Sequence, residues 1–140
     1  MFKQSIRAVA VLPIVLAACA SQPEVEEVVE EEVVWTAESM MVGGRSVMTL
    51  ADAQSASLIE ARARTSAANG YAGDNKGNAC YQEPVFMGVS GETIMESTTR
   101  RAEEWNYTVC NEAYRVPVIV EKNAATGQVS FTVGTGREAR

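Results

Sequence analysis

Between residues 104 and 133 apolar side chains recur at every second position in three successive runs, the spacing of half-buried strands. Trp105, Tyr107 and Val109 alternate with Asn106 and Thr108, and Tyr114, Val116, Val118 and Val120 alternate with Arg115, Pro117 and Glu121. Val129, Phe131 and Val133 repeat the pattern. Asn111-Glu112 and Asn123-Ala124-Ala125-Thr126-Gly127 supply turn chemistry between the runs, so the stretch reads as a three-stranded antiparallel meander. Pro117 lacks an N–H, which predicts an edge or bulged strand. One face of such a sheet is apolar and needs a cover. The Ala-rich segment from 50 to 68 offers it, with Leu50, Leu58, Ala61 and Ala68 available to one side. Thr49 is the expected hydroxyl cap, Asp52 complements the helix N-terminus, and Asn69-Gly70 is a left-handed stop.

The remaining elements are weaker. Trp35 to Val42 is a short strand halted by Gly43-Gly44, and Gly73 to Asn78 is turn chemistry. Pro84 to Val89 enters another strand that Ser90-Gly91 ends. Glu92 to Glu104 favours a strand early, through Thr93, Ile94, Met95, Thr98 and Thr99, while Arg100 to Glu104 would accept a helix. Gly134 to Arg140 is expected to be a frayed tail. The fold class that results is α+β: one Ala-rich helix on a small antiparallel sheet, spanning residues 35–140.

The N-terminus carries an address. Lys3 and Arg7 precede an apolar run from Ala8 to Leu16 and small residues before Cys19, the layout of a cleaved secretory signal over residues 1–18. The uncharged stretch from Ala8 to Ser21 is 14 residues, against the roughly 20 that a membrane span needs. Leu16-Ala17-Ala18-Cys19 resembles the lipobox of bacterial lipoprotein precursors. The resemblance covers about the first 19 residues. It implies a diacylglyceryl thioether on Cys19, cleavage before it, and acylation of the new amino group. Each buried methylene contributes about 0.8 kcal/mol, so three chains would hold the protein permanently in a membrane. Ala20 rather than aspartate after the cysteine implies export to the outer membrane, facing the periplasm.

With Cys19 given to lipid, Cys80 and Cys110 remain, and two thiols in an exported domain are most simply one disulfide. A reactive or metal-binding pair has little support, since the chain has no histidine and no Cys-x-x-Cys. Residues 19–34 hold six glutamates and no Lys or Arg, a charged tether that extends by self-repulsion. Val25, Val28, Val29 and Val33 near helical spacing would suit an amphipathic helix, but uncompensated glutamates disfavour one. Residues 35–140 carry 10 basic and 12 acidic groups, with no basic patch to suggest nucleic acid.

Catalytic machinery is hard to assemble from this chain. Without histidine, Ser-His-Asp and Cys-His arrangements are impossible. Gly88-Val89-Ser90-Gly91-Glu92 lacks a glycine of the nucleophile elbow, and Gly70 to Gly77 lacks phosphate-loop spacing. Asp74 to Asn78 lacks the calcium loop's bidentate glutamate. Glu103-Glu104 beside Trp105 would be a carboxylate pair only if the segment were not a strand, because neighbours in a strand face opposite ways. An exposed, mixed-charge strand lead-in is the expected reading. Trp105, Tyr107 and Tyr114 are the candidate aromatic binding surface, but their spacing suits a sheet core as well, and core burial is the expected reading.

These readings imply a non-enzymatic envelope lipoprotein with a binding or structural role, without cofactor or metal, serving an envelope protein partner. The alternative is an inhibitor of a basic wall-degrading enzyme, towards which an acidic protein would be steered. Lysozyme-inhibiting lipoproteins likewise pair a lipobox with a disulfide-stapled β domain, and the Tyr107-to-Cys110 run resembles their opening. The 30 residues after Cys110 are too few for that family's eight-stranded barrel.

Overall fold

A computed structural model describes residues 35–75, 78, 80–91 and 99–140. The signal, Cys19 and the acidic tether lie outside the described residues, as does the strand expected over 92–98. The first described element is a hairpin of β1 (Glu38–Val42) and β2 (Arg45–Thr49), turned by Gly43 and Gly44 at φ of 55° and 77°. Both values suit the tight two-residue turn that glycine adopts without a Cβ penalty. The sequence reading had only the first strand. Arg45 to Thr49 buries just Val47 and Thr49, too short an alternation to announce itself.

Helix α1 follows over Ala53–Asp74. Its cap is Asp52, whose Oδ1 accepts from the Ser55 N–H at 2.7 Å. Thr49, the expected cap, instead accepts from Ala51 N–H and donates to Glu103. The helix runs past Asn69-Gly70 to the cap at Asn75, and its buried stripe is Ala56, Ile59, Ala63, Ala67 and Tyr71. Leu58 is 49% exposed, so the side chosen from the sequence is the wrong face. Gly70 serves proximity rather than termination: a Cβ there would strike the Gly136 carbonyl.

Strands β3 (Val85–Ser90), β4 (Arg100–Val109), β5 (Glu112–Lys122), β6 (Val129–Val133) and β7 (Arg137–Glu138) form one antiparallel sheet. Its order is β3-β4-β5-β6, with β7 also pairing β5. The three-stranded C-terminal meander is therefore β4, β5 and β6. Arg100 to Glu104, which would have accepted a helix, begins β4, paired residue for residue with β5. The turn between them is Cys110-Asn111, both at positive φ, one residue earlier than the sequence suggests.

β5 is central, neither edge nor bulged, although it contains Pro117. The Pro117 carbonyl accepts from Gly134 N–H at 2.8 Å, so its missing N–H faces the break between β6 and β7. The Gly134 carbonyl, which that N–H would have met, accepts from Ser66 Oγ instead. The tail is also ordered differently from expectation. Ser66 Oγ donates to the Gly134 carbonyl at 2.6 Å and accepts from Gly136 N–H at 2.9 Å, while Ala139 N–H bonds the Ala113 carbonyl.

The core lies between α1 with the hairpin and the inner sheet face of Trp105, Tyr107, Val109, Tyr114, Val116, Val118 and Val120. Alanines on the helix let it settle closely on large rings. Phe86 meets Trp105 and Tyr107 with centroids 5.5 Å apart, and Tyr71 meets Tyr114 edge-on at 5.9 Å. Such pairs contribute about 1 kcal/mol each beyond their burial.

Candidate functional site

The disulfide is present: Cys80, between α1 and β3, joins Cys110 in the β4–β5 turn with Cα atoms 5.9 Å apart. Two further bonds tie the helix end to the same corner. Tyr114 donates to Asp74 Oδ2 at 3.1 Å, and Asn75 Nδ2 donates to Glu112 Oε2 at 3.2 Å. Burial first, and then the Asp74 carboxylate, pushes the Tyr114 phenol up to about 12.

Trp105, Tyr107 and Tyr114 do not form an aromatic platform. They are 0%, 1% and 1% exposed, on the covered face of the sheet, so no ligand reaches their rings. Alternation puts all three on one face, and that face is core. Burial raises the Tyr107 phenol well above its ordinary value, and its hydroxyl donates to the Glu60 carbonyl at 3.1 Å.

Glu103 and Glu104 face opposite ways, as strand neighbours must, but Glu103 is not an exposed lead-in residue. It is 2% exposed and accepts from Thr49 Oγ1 at 2.8 Å, Leu50 N–H at 2.8 Å and Trp105 Nε1 at 3.1 Å. Arg101 Nε stands 3.9 Å away. A buried carboxylate is tolerable when its oxygens are matched by donors, and these donors come from β2, the β2–α1 connection and β4. Glu103 thus clamps the hairpin to the sheet. Sequence reasoning missed it because a strand pattern reports which face a residue takes, not whether a second layer covers the end of that face.

Of the open concavities among the described residues, two lie against α1. One, about 490 Å³, is lined by Gly43, Gly44, Arg45, Arg64 and Phe86 among others. Its cations are engaged: Arg64 donates to Glu60 Oε1 at 2.7 and 3.0 Å, which raises its pKa, and lies 3.6 Å from Glu83. Arg45 Nε donates to the Phe86 carbonyl at 3.0 Å.

The other is a groove of about 430 Å³ between α1 and β6, lined by Arg62, Thr65, Ser66, Asn69, Phe131 and Val133 among others. The Arg62 guanidinium sits 5.2 Å over the Phe131 ring. Arg62 was absent from the sequence-derived candidates, because nothing in a linear pattern pairs it with a residue 69 positions on.

Among the described residues no three His, Cys, Asp or Glu side chains converge as a metal site, and no helix is long and apolar enough to cross a membrane. Both clefts are open to solvent and mainly polar. Compared with known proteins, the chain matches no family model, no curated protein and no solved structure.

Proposed function

We propose that the chain is a lipid-anchored domain of the bacterial cell envelope, held at the periplasmic side of the outer membrane, that binds or scaffolds a protein partner and catalyses nothing. The observation that carries this reading is Leu16-Ala17-Ala18-Cys19 behind a cationic and apolar leader, followed by a tether of six glutamates. The use made of the polar groups supports it. Glu103 is spent on clamping the hairpin, Glu60 on holding Arg64, and Asp74 on receiving Tyr114. A general acid or nucleophile needs a group that faces substrate, and these face the fold.

The test is crosslinking in intact membranes, with reagents of several chemistries, followed by gentle solubilisation. A discrete adduct with another envelope protein is expected for the native chain. Cys19→Ala should leave the membrane fraction and lose that adduct. Recovery of free monomer alone, under every reagent, contradicts a partner-binding role, and release of soluble product from wall fragments contradicts a non-enzymatic one.

A further inference from the structure

The outer strands β3 and β6 are treated differently. β3 is blunted: Gly88 at φ 137° accompanies a register shift after Phe86, and the Arg45 side chain occupies the Phe86 carbonyl. Bulges and capping side chains are how sheets prevent unwanted strand addition. β6 carries no such device. Val129-Ser130-Phe131-Thr132-Val133 has no charge, no proline and no bulge, and its register with β5 is unbroken.

The ladder fixes which groups are open. Asn123 N–H bonds the Gln128 carbonyl and Gly134 N–H bonds the Pro117 carbonyl, each at 2.8 Å, at the two ends of the β5–β6 pairing. Hydrogen-bonded pairs alternate along an antiparallel ladder, so Ser130 and Thr132 face β5 while Val129, Phe131 and Val133 turn N–H and C=O outward. Among the described residues no strand pairs with that edge. Beside it runs the groove against α1, where Arg62 is the one charged lining residue among the described residues.

We infer that β6 accepts an extended segment of a partner protein as an added antiparallel strand, with an acidic side chain of that segment meeting Arg62. Main-chain bonds to Val129, Phe131 and Val133 supply the affinity, and the groove side chains select the residue between two apolar neighbours. A second copy of this chain fits less well, because a two-fold pairing centred on Phe131 would bring two Arg62 side chains towards one another. The inference rests on the binding role proposed above but not on the lipid anchor.

The probe is a capped peptide, Thr-Val-Thr-Glu-Thr-Val-Thr, titrated into the 15N-labelled full chain in detergent micelles. Amide shifts should concentrate at Val129, Phe131 and Val133 and at Arg62, Thr65 and Asn69. Replacing the peptide glutamate with lysine should weaken binding about tenfold, because it exchanges an attractive pair with Arg62 for a repulsive one. Val133→Pro removes an outward N–H and leaves the β5 ladder intact, so it should abolish binding with the rest of the spectrum unchanged. Arg62→Gln should equalise the two peptides, a readout that does not depend on the proline variant folding. Shifts confined to β3, equal affinity for both peptides, or a dimer without peptide that Val133→Pro dissolves would each overturn the inference. None of these outcomes bears on lipidation of Cys19, which fails or stands separately.

Discussion

At the scale of single residues, the fold depends on groups that look ordinary in the sequence. Glu103 receives three donors inside the molecule. Glu103→Ala strands them and should cost about 3 kcal/mol in urea unfolding, with Glu103→Gln intermediate because its amide turns a donor towards donors. Gly70 and Gly73 separate two opposing effects in one helix. Alanine normally improves a helical glycine by up to about 1 kcal/mol, and Gly73 has open space around its Cβ position, so Gly73→Ala should stabilise. Gly70→Ala should instead destabilise by about 1–3 kcal/mol, since the Gly136 backbone occupies the space its methyl needs. Equal effects at the two positions would mean that the C-terminal segment does not lie against α1. Tyr114 sets an alkaline limit. Its phenol is raised from about 10 to about 12, so its contribution is constant below pH 10 and disappears as the pH rises through 12. Urea midpoints measured from pH 7 to pH 12 should hold and then fall over that window, and Tyr114→Phe should remove part of the fall. The stake is of order 2 kcal/mol.

At the scale of elements, the disulfide is the main covalent constraint on the helix end. It closes a separation of 30 residues, for which chain entropy gives about 3.7 kcal/mol. Cys80→Ser with Cys110→Ser should lose roughly that amount by chemical unfolding, and a loss below about 1 kcal/mol would show that the Tyr114–Asp74 and Asn75–Glu112 bonds already hold the corner. The strands that alternate strongly were legible from sequence: β4 through its aromatic run, β5 and β6 through their valines, and the helix as their cover. What stayed hidden has a common cause. Gly70 carries the chemistry of a helix stop, yet its role is set by Gly136, which is 66 residues away. The helix face was misjudged because alanine and leucine compete for burial, and close approach to Trp105 and Tyr107 favours the smaller side chain. The tail reads as frayed until Ser66 is known to bond Gly134 and Gly136. Of the candidate site, the cysteine pairing was legible from compartment logic. The aromatic trio was identified correctly as co-facial but belongs to the core, and the β6 groove required the spatial meeting of Arg62 with Phe131.

At the scale of the whole molecule, composition and architecture point the same way. Most of the acidic excess lies in the tether, while residues 35–140 are nearly neutral, so the domain carries local contacts rather than one dominant field. The open edge of β6 and the small size of the domain are what the proposed docking role draws on. All of this depends on where the chain is placed. The direct measurement is mass spectrometry of the N-terminal peptide from protein recovered from the membranes of an expressing diderm bacterium. The account predicts a peptide that starts at Cys19 and carries a diacylglyceryl thioether and an amide-linked acyl chain. A free thiol at Cys19, or residues 1–18 still attached, would contradict it.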